Sequence, residues 1–283
     1  MKKILCPVDF SDVSYRGVNF ANEIIKITGG ALILINLYHI TPIEPGTASY
    51  LSSDIVTEAE EEARRGLQDI INGLSKGDNV IYDYVVKYGI PEDEIPHFAR
   101  RENIDMIVMG TEGAEGLKKI FMGSVTATVA EESGCPVLVV PSNVEYHPIK
   151  QIVYATDLKG NETEGISFVV ELAQLFDAQI SFFSIQKKHN YKEEEEFIKY
   201  ALDKLLFNQS YGKMSFDLNE GEDIETGINA YAKKKNADVL VLATHERSFL
   251  KKIFSRSRTK EIIYNPELPI LAVHKVEEHV SAK

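Results

Sequence analysis

Cysteine is scarce in this chain: Cys6 and Cys135 are the only 2 in 283 residues. Each falls in or beside an apolar, strand-like segment, and neither has a companion at metal-ligand spacing. The expectation is two buried structural thiols in a reducing compartment, with a disulfide or redox role as the weaker alternative. Long apolar runs are also missing. No segment approaches the ~20 consecutive apolar residues that a membrane-spanning helix needs. Met1-Lys2-Lys3 has the charge of a secretion signal, but Pro7 and Asp9 break the apolar run behind it too early. A cytoplasmic protein is expected. Positive charge is in deficit as well. The net charge of -12 disfavours nucleic acid and anionic membrane as direct partners.

With 44% hydrophobic residues the chain can bury a sizeable core, and its length suits two domains of roughly 140 residues. The sequence repeats. Leu117-Lys118-Lys119-Ile120-Phe121 returns as Leu250-Lys251-Lys252-Ile253-Phe254. At the same offset Asn103-Ile104-Asp105-Met106 is echoed by Asn236-Ala237-Asp238-Val239. The opening Lys3-Ile4-Leu5-Cys6-Pro7-Val8-Asp9 parallels Gln151-Ile152-Val153-Tyr154-Ala155-Thr156-Asp157, and Pro136 to Val140 resembles Leu268 to Val273 with a slight slide. Several blocks in shared register indicate a duplication.

In the first half, short apolar runs near 3–8, 31–38, 80–87, 105–109 and 136–140 alternate with helical patterns near 12–28, 51–75, 91–102 and 124–133. That alternation implies a parallel sheet covered on both faces. The fold class expected is therefore α/β: two tandem, doubly wound, five-stranded parallel-sheet domains of Rossmann type. Polar Ser142 to Pro148 marks the boundary, which gives domains at 1–143 and 149–283. Ser11 and Asp12 are placed to cap the first helix, Gly29-Gly30 to end it, and Pro91 to open the third. The acidic runs at Glu58 to Glu62 and Glu193 to Glu196 read as solvated helix faces.

One loop carries candidate chemistry. Behind the fourth strand comes Gly110-Thr111-Glu112-Gly113, and Gly123-Ser124 then opens a helix. Glycines let backbone N–H groups approach oxygens closely, and a helix N-terminus attracts anions. In a doubly wound sheet this loop and Asp9, at the end of the first strand, converge on the crevice where strand order reverses. Ser124 would donate to a phosphate or cap its helix. Asp9 would accept from a ribose hydroxyl or the backbone, or hold a divalent cation that bridges phosphates.

The spacing Gly110, two residues, Gly113, nine residues, Gly123-Ser124 resembles the nucleotide-binding signature of the universal stress protein family. Ile4 to Ser11 and Leu37 to Ile40 are similar to that family's first strand and second-strand end, and the likeness spans the chain as two tandem copies. The resemblance implies ATP, or ADP or AMP, with Mg as cofactor. It places Pro7, Val8 and Asp9 at the adenosine end, Ile40 against adenine, and Met109, Gly110, Gly113, Gly123, Ser124 and Val125 around the phosphates. Asp9 is the metal candidate. Glu112 departs from the family's usual neutral or basic residue; it either weakens triphosphate binding or points to solvent, the latter being favoured.

In the second half Ala243, Glu246 and Arg256 replace the three glycines, so nucleotide is expected in the first half alone. The basic residues Arg247, Lys251, Lys252, Arg256, Arg258 and Lys260 read as a solvated face or a docking site for an acidic partner or a non-nucleotide anion. The family resemblance also implies an intrachain pseudo-dimer in which Val137 to Val140 pairs with Ile270 to Val273; further association of whole chains stays open. The sequence offers no base paired with a nucleophile and no Walker A lysine, so no catalytic residue is assigned and at most slow ATP hydrolysis is expected. The role implied is a nucleotide-binding regulatory protein of stress response, with a slow ATPase or a nucleotide-independent scaffold as alternatives.

Overall fold

A computed structural model describes residues 1–38, 53–111, 124–156, 162–186, 211–220, 224–244 and 268–274. The first half runs β1 (Lys3–Pro7), α1 (Asp12–Thr28), β2 (Gly30–Tyr38), α2 (Ser53–Gly73), β3 (Val80–Tyr88), α3 (Pro91–Arg101), β4 (Met106–Thr111), α4 (Ser124–Glu132) and β5 (Val137–Pro141). The second half contributes β6 (Gln151–Ala155), α5 (Thr163–Phe176), β7 (Gln179–Gln186), β8 (Met214–Glu220), α6 (Ile224–Lys235), β9 (Val239–Thr244) and β10 (Ile270–His274).

Among the described residues these strands form one ten-stranded sheet in the order β3-β2-β1-β4-β5-β10-β9-β6-β7-β8. Each half is parallel and doubly wound, with order reversing between its first and fourth strands, β1 and β4 or β6 and β9. The halves meet antiparallel where Leu271 faces Leu138 and Ala272 faces Val137. The expected pairing of the two last strands is therefore present, and it covers two edges that would otherwise lie open.

Strand residues alternate between two cores. On one face Ile4 and Cys6 join side chains of α1, α2, α5, β6 and β10 in a cluster that crosses from one half to the other. Val144, Tyr146 and Ile149 of the connecting stretch belong to it, with Phe20 set edge-on to Tyr146 at 5.1 Å between centroids. The other face holds two clusters, one under α3 and α4 and one under α6. The joint is thus apolar as well as hydrogen-bonded.

The duplication extends to single hydrogen bonds. Asp105 Oδ2 accepts from the amides of Lys2 and Lys3, and Asp238 Oδ2 accepts from those of Lys150 and Gln151. Asn103 and Asn236, two residues earlier, both take left-handed backbone, which asparagine tolerates. These clamps fix the first strand of each half against its fourth.

Ser11 caps α1 by accepting from the Ser14 amide at 3.2 Å, while Asp12 is the first helical residue rather than a second cap. Gly29 ends α1 with positive φ. Glu58, Glu61 and Glu62 are exposed on α2, but Glu60 is half-buried and pairs with Arg64. Cys6 is fully buried and burial pushes its thiol far up; Cys135 is half-buried, with its thiol pushed up to about 11 by burial, and both are free. Glu193 to Glu196 and the basic residues from Arg247 to Lys260 lie outside the described residues. No helix among the described residues is long and apolar enough to cross a membrane.

If the central strand pair ties the halves, Leu271→Ala should destabilise the chain by about 2–5 kcal/mol. Ile81→Ala, at an exposed position on the edge strand β3, should change stability by no more than about 0.5 kcal/mol. Urea denaturation of the two variants checks this; equal small effects would contradict it.

Candidate functional site

Beyond the carboxyl ends of β1 and β4 lies a cavity of about 430 Å³, within the size range of small-molecule sites. Pro7, Val8 and Asp9 enter it from β1, Ile35 and Leu37 from β2, and Met109, Gly110 and Thr111 from β4. The first turn of α1 adds Ser11, Val13 and Ser14; α3 adds Pro91 and Ile95; α4 adds Val125 and Thr126. One wall is aliphatic, and the rim carries hydroxyls and one carboxylate.

The loop after β1 is held from several sides. The Val8 amide donates to the Ile35 carbonyl at 2.8 Å, and Asn36, itself buried, donates from Nδ2 to the Val8 carbonyl at 2.8 Å. Asp9 Oδ1 accepts from the Ser11 amide at 3.0 Å and the Ser11 hydroxyl at 2.5 Å. Phe10 between them takes φ of 64°, costly for an aromatic residue and tolerated because the flanking bonds fix it. Partial burial alone would raise the Asp9 carboxyl; hydrogen bonds from Ser11 and Ser14 outweigh it and hold Asp9 below its ordinary value. A fixed anion therefore stands at the cavity rim.

Gly110 is required by contact rather than by backbone angle. A Cβ there would stand 1.9 Å from the Val13 carbonyl oxygen, and one on Gly17 would stand 2.7 Å from the Gly110 amide nitrogen. The first turn of α1 thus lies directly on the backbone of β4. Ser124 begins α4, and its hydroxyl donates to Glu92 Oε1 at 3.1 Å.

The structure brings together Pro7, Val8, Asp9, Met109, Gly110 and Val125, all cavity-lining, with Ser124 next to Val125. Ile40, Glu112, Gly113 and Gly123 lie outside the described residues. The sequence reading missed Ser14, Ile35, Leu37, Pro91, Ile95 and Thr126 as lining groups. Pro91 at a helix start and Leu37 at a strand end were visible as elements, but not as neighbours.

The second half keeps the frame and changes the lining. The Thr156 amide donates to the Phe183 carbonyl at 2.9 Å, as Val8 does to Ile35. In that register Thr156 stands for Val8, Glu162 for Ser14 and Ser184 for Asn36. The Thr156 hydroxyl donates to Glu162 Oε1 at 2.6 Å, and that carboxylate is 1% exposed. α5 also starts later than α1 relative to its preceding strand, at Thr163, and Ala243 carries the Cβ that Gly110 lacks. Glu246 and Arg256 lie outside the described residues.

A doubly wound sheet with a lined cleft at its switch point defines a Rossmann-like α/β protein, here duplicated in one chain. The chain belongs to the universal stress protein family, whose sequence profile matches residues 1–141 and again 148–274. Universal stress protein MJ0531 of Methanocaldococcus jannaschii is 34% identical over 140 residues, covering 49% of this chain and 81% of that protein. Universal stress protein MJ0577 of the same organism is 31% identical over 153 residues, covering 49% and 94% respectively. A universal stress protein from Archaeoglobus fulgidus has a solved structure covering 97% of this chain and 98% of its own, with TM-score 0.72 and 16% identity. At that identity the likeness is one of fold.

Gly110→Ala should destabilise by at least about 1–3 kcal/mol because α1 must lift off β4. Gly73→Ala, where a Cβ meets nothing within 4 Å, should be neutral or stabilise by up to about 1 kcal/mol. Chemical denaturation separates the two. For Asp9 the sign follows from its lowered pKa: its contribution is present above the ordinary carboxylate value near about 4 and is lost as pH falls through the lower folded value. The stability gap between the native chain and Asp9→Asn, measured at neutral pH and again below about pH 3, should close in acid.

Proposed function

We propose that this chain is an adenine-nucleotide-binding regulatory protein of stress response that holds one nucleotide, in the unit formed by residues 1–143. The observation that carries this reading is the cavity at the β1–β4 switch point, with an aliphatic wall and an oriented carboxylate at its rim. The Ile35, Leu37, Met109 and Val125 side chains suit an adenine ring. Asp9 suits a ribose hydroxyl or a Mg ion shared with phosphates, because its carboxylate is held ionised. Gly110 serves the site by letting α1 close on β4, since the Val13 carbonyl fills the space its side chain would take. Gly113, Gly123 and Ser124 supply the rest of the phosphate cradle by their place in the family signature.

The unit formed by residues 149–283 acts as the pseudo-dimer partner. Where the first cleft has Val8 and Ser14, the second has the hydrogen-bonded Thr156–Glu162 pair, a bulkier lining richer in acceptor oxygens. Binding rather than turnover is the activity proposed, in the cytoplasm, with the nucleotide-dependent state of the first unit altering the protein contacts of the whole chain.

Titration calorimetry with ATP and Mg should give a stoichiometry of about one per chain. Asp9→Ala should weaken binding about tenfold or more, as expected for a lost hydrogen bond to a charged group. Ala243→Gly in the second unit should leave the stoichiometry unchanged. Two sites per chain, or no binding of ATP, ADP or AMP, would overturn the reading.

A further inference from the structure

One contact at the rim opposes the role given to Ser124. Its hydroxyl donates to Glu92 Oε1 at 3.1 Å. Glu92 sits in the first turn of α3. The chain neighbours of the pair, Pro91 and Val125, both line the cavity, so the hydrogen bond spans the rim between α3 and α4. A serine hydroxyl has one proton to give. While Glu92 holds it, a phosphate oxygen at Ser124 can take only backbone N–H groups there and faces a carboxylate a few ångströms away. Glu94, on the same turn, is paired with Lys87, whereas Glu92 has no cationic partner among the described residues.

We propose that Glu92 is a charge filter on the nucleotide site: it competes with phosphate for the Ser124 hydroxyl and makes phosphate-chain binding depend on a divalent cation. The inference rests on the nucleotide reading above and assigns a residue that the glycine signature does not contain. Without a cation, the carboxylate and the phosphates repel. A divalent ion coordinated by Glu92 and a phosphate oxygen together turns that repulsion into attraction and frees the Ser124 hydroxyl for the phosphate. Adenosine, which has no phosphate, escapes the filter. Glu92 therefore discriminates by phosphate charge and metal loading, leaving the base to the aliphatic wall.

The full chain and Glu92→Gln, which keeps the size and an acceptor oxygen but removes the charge, are compared by calorimetry with adenosine and with ATP, each in Mg and in a chelator. In chelator the variant should bind ATP about three- to tenfold tighter than the native chain, the scale of one partly screened unit charge. Mg should tighten ATP binding more in the native chain than in the variant, and adenosine affinity should be the same in both. Equal ATP affinities and equal Mg effects, with adenosine still bound, would overturn the filter and leave the nucleotide reading intact. An equal change for adenosine and ATP would also overturn it, since Glu92 would then act on the shape of the cavity. If neither ligand binds either protein, the nucleotide reading falls and the filter with it.

Discussion

The first turn of α1 rests on the bare backbone of β4. No side chain fits between them at Gly110, where a Cβ would meet the Val13 carbonyl oxygen at 1.9 Å. This close approach places Val13 and Ser14 beside Met109 and Gly110 and so forms the cavity's floor. It also aims the start of α1, capped by Ser11, at the carboxylate of Asp9. Helix, strand and loop are thereby fixed by one steric condition and two hydrogen bonds.

The two halves share their scaffold and differ in what lines it. The aspartate clamps at Asp105 and Asp238 and the left-handed asparagines before them are the same in both. The antiparallel meeting of β5 and β10 makes one sheet of the two, and a single apolar cluster runs across it. The changes that bear on a ligand lie in the crevice. Val8 becomes Thr156, Ser14 becomes Glu162 and Asn36 becomes Ser184. The residues that hold the seam have kept their character while the lining of the second crevice has changed.

Much of the fold was legible because its signals are local. Apolar runs bounded by Gly29-Gly30 and Pro91 mark β2 and α3 within a residue or two. The internal repeat exposes the tandem arrangement, and Asp9 and Gly110 do meet at the switch point. Gly110 was legible as a special position but for another reason: its sequence context suggested room for phosphate oxygens, whereas the Val13 carbonyl of α1 takes that space. The aliphatic lining was not: Ile35, Leu37 and Ile95 look the same in sequence whether they face a core or a cavity. Glu92 was hidden for another reason. It reads as a favourable acid at a helix start, and its partner Ser124 lies on a different helix. Glu162 sits in the polar run Asn161-Glu162-Thr163-Glu164 and looks like surface, yet it is buried against Thr156. Two expectations needed adjustment. Asp12 is not a cap, and Cys135 is only half-buried.

The central claim is a single nucleotide per chain, held where β1 and β4 diverge. A crystal structure of the full chain grown with ATP and Mg tests it most directly. The account predicts continuous nucleotide density with the base against Leu37 and Met109, the ribose near Asp9, and none beside Thr156 and Glu162. Density in the second crevice, or an empty first cavity in a nucleotide-saturated crystal, would contradict it.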